Sequence, residues 1–408
     1  MPITRQQMYR RRRITIFSAA AVVLAGGIYV PSALLAPVDA VSAEVPALTV
    51  AAAATAELTL PSYGASGIAA VGMPGLLASS GATEPLPIAS ISKVITTLVV
   101  LDAKPIGVDE DGENIAFTSD DVQIYNDYVA VNGSVKPVSA GSTLTEREVI
   151  ELMLVGSANN YAQSLVNWAF GSEREYAVAA AEWLTRNGLT ATTVADATGM
   201  SPNNVSTPTD LVALGSLALA NPLVAEIIAM QDITVPDVGQ LSNTNKLLGI
   251  DGIDGIKTGT LDEAGACLLF SADILVGSET VTLVGVVLGG DDHSTVNTTV
   301  RAMLQSVSAG FHEQSLITEG QQLGSYSTAW GDSAEVIAAE TSSIVVWSDT
   351  PISADVETEP VSTGAAGDVV GTVTFNVGNN TVVVPLELAN AIDDPSSLWR
   401  LTNPGELF

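Results

Sequence analysis

Apolar positions fill residues 14–30 without a single charge, directly after Arg10-Arg11-Arg12-Arg13. Pro31 interrupts this run, and apolar residues resume through Leu35 and Ala36. From 46 to 80 the chain is rich in Ala, Gly, Ser and Pro, with no charged residue between Glu57 and Glu84. Short apolar pieces between glycine and proline predict buried strands, here over 67–71 and 75–79. The run from Ser90 to Leu101 is mostly apolar yet carries Lys93, and it predicts a largely buried helix starting near Ser90. Leu144-Thr145-Glu146-Arg147-Glu148-Val149 reads as a helix start, with Thr145 and Glu148 as a capping box and Leu144 stapled to Val149. That helix is expected to end near Gly156, with a second helix from about Tyr161 to Phe170. Two strands follow over 266–272 and 280–288, with Lys257 on the strand or loop before them. After Ser315 the pattern changes to β-branched runs over 334–338, 343–347, 369–377 and 381–386, with Asn379-Asn380 as a hairpin loop. No amphipathic helix is expected after Leu386.

Composition narrows the classes. At 408 residues, 47% of them hydrophobic, the chain is long enough for two domains and too apolar for general disorder. One cysteine, Cys267, excludes an intrachain disulfide, and its apolar setting reads as a buried strand. Two histidines, His293 and His312, give no metal-ligand cluster, so no metal and no cofactor is expected. The formal net charge is −30, although Arg5 and Arg10 to Arg13 put five of the 15 basic residues ahead of any acid. The remaining body would be repelled by nucleic acid and by anionic lipid. The cationic start and apolar run read as an export segment. Val41-Ser42-Ala43 suits cleavage after Ala43. Without cleavage, the segment stays as a single anchor with the arginines held in the cytoplasm. Both outcomes place the body outside the cytoplasm.

Three short strings carry candidate chemistry: Ser90-Ile91-Ser92-Lys93, Ser157-Ala158-Asn159 and Lys257-Thr258-Gly259. A spacing of three on a helix puts Ser90 and Lys93 on one face, one turn apart. A buried lysine loses part of its proton affinity and can take the serine proton. Ser92 is the rival nucleophile, without that spacing. Ser157 and Asn159 fall between two helices, where they either cap the next helix or present a hydroxyl and an amide to a cleft. A strand bearing Lys257 and Thr258 can bind a carboxylate by charge and hydroxyl, and Gly259 would let substrate approach closely.

With these motifs placed, the chain resembles the D-alanyl-D-alanine carboxypeptidases, the low-molecular-mass penicillin-binding proteins, from about Gly67 to Phe311. The likeness extends through Asp196-Ala197-Thr198-Gly199-Met200, Ser206-Thr207-Pro208-Thr209-Asp210-Leu211 and Asp254-Gly255-Ile256-Lys257-Thr258-Gly259-Thr260. It implies an α/β (α+β) fold: a β-lactamase/transpeptidase-like domain with an antiparallel sheet and a helical cluster, followed by a C-terminal β-sandwich. The expected division is an export segment or anchor over 1–45, a spacer over 46–66, the catalytic domain over 67–312 and a small β-rich domain over 315–400. The resemblance also implies roles. Ser90 is acylated, Lys93 is the base, Ser157 relays a proton and Asn159 holds the acylated peptide. Lys257 and Thr258 hold the terminal carboxylate, and the backbone N–H groups of Ser90 and Thr260 form the oxyanion hole. Substrates would be peptidoglycan stem peptides ending in D-Ala-D-Ala, and β-lactam antibiotics would acylate the same serine. The sequence departs from the family in offering only His293 as a cation just after Gly290, and in having Ala158 where many relatives have glycine. A DD-endopeptidase or transpeptidase, or a non-catalytic wall-peptide binder, stays open as an alternative. A β-lactamase is disfavoured by the absence of a Glu-x-x-Leu-Asn string.

Overall fold

A computed structural model describes residues 5–51 and 53–408, so the first four positions of the export segment and Ala52 of the expected spacer lie outside the described residues. The chain forms two compact units. One comprises residues 55–312, and the other joins the N-terminal residues up to 54 with residues 313–408.

Residues 55–312 are built on a five-stranded antiparallel sheet. Its spatial order is Ala78–Gly81, Ala65–Ala70, Glu279–Gly290, Gly265–Val276 and Ile253–Leu261. The three longest strands are consecutive in sequence and joined by tight turns at Asp262-Glu263 and Gly277-Ser278, as their alternation predicts. The second strand of the sheet lies three residues later than the sequence reading placed it. Gly72 and Gly75 both take positive φ, so the turn uses up residues that had been assigned to the strand. Helices Pro208–Ala220 and His293–Ser308 pack on the sheet. Ser92–Ala103, Glu146–Leu154, Asn159–Phe170 and Glu173–Arg186 pack on one another as a helical cluster. One apolar core joins cluster and sheet, from Val94, Ile95 and Leu98 through Leu152, Leu165 and Leu211 to Leu269 and Val286.

Local sequence explains the boundaries. The Glu146–Leu154 helix starts at the capping box read from the sequence: Glu148 N donates to Thr145 Oγ1 at 3.2 Å, and Thr145 N donates to Glu148 Oε2 at 2.8 Å. Its end differs from expectation. The left-handed residue is Ser157, at φ 55°, and not Gly156. Gly156 serves close approach instead, since a Cβ there would lie 3.0 Å from the Cε of Lys136. The next helix begins at Asn159 with Ala158 as its N-cap and no side-chain cap, so neither Ser157 nor Asn159 is a capping residue.

In the other unit, a five-stranded sheet runs in the order Gln322–Ser327, Ser333–Ala338, Asn380–Leu388, Val369–Val377 and Ile352–Thr358. Ser342–Trp347 pairs with Phe311–Ile317, the strand through which the chain enters this unit. Leu316, Ile317 and Val346 share one core with Tyr326, Val336, Phe375 and Leu386, which makes a small β-sandwich. The predicted Asn379-Asn380 loop is a turn at Gly378-Asn379, because Gly378 takes φ 56° and Asn380 already pairs with Val377. A short helix, Ser397–Thr402, lies beyond the last strand; Ser396 caps it by accepting from Trp399 N. The N-terminal helix runs from Arg5 to Leu35 straight through Pro31, which removes one backbone hydrogen bond without ending the helix. Among the described residues it is the helix long and apolar enough to cross a membrane, and its apolar window has no buried residue.

Candidate active site

The three sequence motifs meet at one cleft of about 400 Å³ in residues 55–312. Ser90, Ser157, Thr258, Thr260 and His293 are among the residues that line it. The two lysines stand behind this wall of hydroxyls: Lys93 is 0% and Lys257 1% exposed.

Ser90 sits in the 3-10 turn Ala89–Ile91, which leads into the Ser92–Ala103 helix. The helix therefore starts two residues after the serine and keeps the expected one-turn spacing to Lys93. Lys93 Nζ lies 3.0 Å from Ser90 Oγ. It also donates to Asn159 Oδ1 and to the Thr198 carbonyl, each at 2.6 Å. Both of these partners can only accept. A neutral amine has two N–H bonds, so these two acceptors use both and leave the lone pair for the serine hydroxyl. Burial holds the Lys93 pKa well below the usual lysine value; the nearby Lys257 charge lowers it further, and Asp196 opposes. Ser92 is no rival. It is fully buried, donates to the Ala89 carbonyl at 2.8 Å and accepts from Asn204 Nδ2 at 2.9 Å.

Close packing of backbone fixes the turn that carries Ser90. Ala89 has φ 46°, a left-handed conformation that costs an alanine about 1–2 kcal/mol. Two glycines hold this turn in place by lacking side chains. A Cβ on Gly199 would lie 2.0 Å from the Ala89 carbonyl oxygen, and one on Gly259 would lie 2.9 Å from that of Ile88. Gly259 thus makes room for the chain's own Ser90 turn, a reason the sequence did not reveal. Gly199 belongs to a loop organised by Asp196, whose carboxylate accepts from the N–H groups of Thr198, Gly199, Met200 and Ser201. This loop delivers the Thr198 carbonyl to Lys93.

Ser157 is the second non-glycine residue of the site in the left-handed region, and Lys257 Nζ donates to its Oγ at 3.1 Å. Lys257 also donates to the Thr258 carbonyl at 3.2 Å. Burial, then the charge of Lys136, push the Lys257 pKa down to about 7. Asn159 is 2% exposed, lies behind the cleft wall and gives its Oδ1 to Lys93. Lys257, Thr258, Gly259 and Thr260 lie on Ile253–Leu261, a terminal strand of its sheet, so its outer edge faces no further strand of that sheet. Thr258 Oγ1 donates to Thr244 Oγ1 at 2.6 Å.

The sequence reading missed Thr198, Thr244 and Lys136. Each acts through a backbone carbonyl, a hydroxyl or a charge brought close only by tertiary packing. His293 was noticed only as a lone cation, and the structure puts its Nε2 2.7 Å from Thr260 Oγ1 at the cleft. Its pKa is lowered by burial first and by Lys257 second, against Asp292. Arg301, midway along the His293–Ser308 helix, is paired with Asp251 at 2.6 Å.

A serine held by a buried lysine, a second buried lysine on an open strand edge and a sheet flanked by helices form an arrangement suited to acyl transfer through the serine. The chain belongs to the D-alanyl-D-alanine carboxypeptidase family, whose model matches residues 74–292. It is similar to a D-alanyl-D-alanine endopeptidase of Pseudomonas aeruginosa, 30% identical over 46% of this chain and 60% of that one. It is also similar to the D-alanyl-D-alanine carboxypeptidase DacF of Bacillus subtilis, 23% identical over 60% of this chain and 62% of that one. The chain thus spans about 60% of the length of these curated relatives. Its fold is shared with penicillin binding protein 5 from Haemophilus influenzae, at TM-score 0.59 and 19% identity over 83% of this chain and 98% of that one.

Proposed function

We propose that the protein is a serine-type D-Ala-D-Ala carboxypeptidase that removes the terminal D-alanine from peptidoglycan stem peptides, working outside the cytoplasm. The observation that carries this reading is the 3.0 Å contact between Lys93 Nζ and Ser90 Oγ, with the other donors of the amine already committed. Neutral Lys93 takes the hydroxyl proton as Ser90 attacks the penultimate D-alanine carbonyl. The backbone N–H groups of Ser90 and Thr260 hold the oxyanion. Collapse breaks the peptide bond, and the leaving amine takes a proton passed from Lys93 through Ser157. D-Alanine departs, and water hydrolyses the ester on Ser90. Lys257, Thr258 and Thr260 receive the terminal carboxylate, and Gly259 keeps the strand close to the nucleophile. Asn159 supports the reaction by holding Lys93. The catalytic domain is taken as residues 67–312, and the β-rich residues 315–400 carry no catalytic group. β-Lactams, which resemble the D-Ala-D-Ala end, acylate the same serine.

A second reading is a DD-endopeptidase acting on cross-links, favoured by the likeness to the P. aeruginosa endopeptidase. The test is D-alanine release from a diacyl-Lys-D-Ala-D-Ala tripeptide beside cleavage of a cross-linked muropeptide dimer, each with wild type and Ser90→Ala. Release from the tripeptide by wild type alone establishes the carboxypeptidase. Cleavage of the dimer alone establishes the endopeptidase, and no turnover together with no acyl adduct from benzylpenicillin leaves a binding protein.

A further inference from the structure

The segment after the N-terminal helix is woven into the C-terminal β unit. Val41 and Val361 exchange backbone hydrogen bonds at 2.9 and 3.0 Å, and Glu44 and Ser325 do so at 2.8 and 3.0 Å. Val41, Ala43, Leu48 and Val50 pack against the core of the β unit. Gly324 is shaped for this contact: a Cβ there would lie 2.7 Å from the Glu44 carbonyl oxygen. Further towards the helix, the Arg400 guanidinium, on a residue 6% exposed, donates to the Ala36 carbonyl at 2.5 Å and pairs with Asp394 at 2.7 Å. Its Nε has no other partner. On the helix itself, Tyr29 Oη donates to the Leu401 carbonyl at 2.7 Å.

We propose that the Arg5–Leu35 helix is a retained single-span anchor in the lipid bilayer, and that the β unit is built onto the outer flank of that anchor. The candidate cleavage point after Ala43 falls between the two backbone bridges. Cutting there would remove the Val41 bridge, the Ala43 contact and the acceptor that Ala36 supplies to a buried guanidinium. Leaving a buried, charged donor without its partner is unfavourable. A segment meant for removal gains nothing from such fitting. The helix has mean hydropathy 1.9 over its apolar window, and that window is free of contacts that bury it. Arg10 to Arg13 orient it with the β unit outside. Tyr29 lies at the far end of the apolar run, where tyrosine suits the lipid–water boundary. Five residues separate Leu35 from Val41, a reach of about 20 Å at most over six steps, so the β unit stands at the membrane surface.

This inference does not depend on the catalytic reading. The experiment expresses the full chain with its own N-terminus in a bacterium that has signal peptidase, washes the membranes in carbonate, and takes the intact mass of the detergent-solubilised protein. A carbonate-resistant chain that contains residues 1–43 is the expected result. A soluble chain beginning at Glu44 overturns the proposal. In the same full-length protein, Gly324→Val should speed exchange of the Ser325 and Val361 amides by about tenfold or more, while benzylpenicillin labelling of Ser90 stays unchanged. Exchange as slow as in the wild type would show that residues 41–44 do not pair with the β unit, and would overturn the built-on flank.

Discussion

Two lysines, Lys93 and Lys257, share a burial but need opposite charges to do their proposed work, and this gives the pH dependence two limbs. Lys93 must be neutral to accept a proton, so acylation rises with pH through its lowered pKa. Lys257 must be charged to hold a carboxylate. Its value of about 7 means that it is an ammonium below that pH and loses the charge above it. For a peptide with a free terminal carboxylate, kcat/KM should therefore fall above pH about 7, since this ratio reports the free enzyme. The same peptide with an amidated C-terminus should lack that falling limb. Identical profiles for the two peptides would remove Lys257 from carboxylate binding. Lys136 is the second cause of the low value, so Lys136→Met should move the falling limb to higher pH. Lys93→Ala should cut acylation by benzylpenicillin by about 100-fold or more, the scale of losing a general base. Full-rate acylation in that variant would refute the base assignment. These residues were legible in the sequence because chemistry of this kind depends on short spacings. The Thr198 carbonyl and the Lys136 charge were not, because no spacing along the chain marks a group that reaches the site from a different element.

Among the elements, the Glu146–Leu154 helix matters most, because it ends directly before Ser157. Its first residue is a liability. Glu146 is 1% exposed, and its Oε1 has no hydrogen-bond partner. Burial pushes its pKa up to about 7, above the ordinary 4.5. A carboxyl group raised in the folded state favours folding fully below its unfolded value, and that contribution is lost as pH rises through the folded value. The helix should therefore weaken between pH 4.5 and 7. Glu146→Gln should stabilise the protein at pH 8 by on the order of 2 kcal/mol and change little at pH 4. Thermal unfolding at the two pH values measures this, and equal effects at both would mean that Glu146 keeps its charge at no cost. The start of this helix could be read from Thr145 and Glu148, since a capping box is local. Its end could not. Gly156 looked like the left-handed residue, but the strained conformation belongs to Ser157, where the contact with Lys257 lies. The four strands named beyond Ser315 were read within a residue or two, whereas Gln322–Ser327 and Ile352–Thr358 were not named.

At the scale of the whole molecule, two units with separate cores should unfold in two calorimetric transitions, and acylation by benzylpenicillin should shift the one that belongs to residues 55–312. A single transition unmoved by penicillin would contradict this. With a net charge of −30, raising ionic strength from about 10 to 150 mM should stabilise both units by screening self-repulsion. The sequence marked the two fold types and the cationic, apolar N-terminal segment, but not that residues 41–50 pack against the core of the C-terminal sandwich. Two lone bridges have no periodicity to betray them. Their consequence lies in the order of synthesis. The catalytic residues are an insertion inside the β unit, since that unit's first piece ends at Ala54 and its second begins at Glu313. Val41 leaves the ribosome long before Val361 exists, and at about 5–20 residues per second its partner arrives roughly 15–60 s later. During that interval the segment 41–50 is an unfilled half of a lock. A chain truncated anywhere before Val361 never closes it fully, so the last part made certifies the first, and incomplete copies keep residues 41–50 open to proteases.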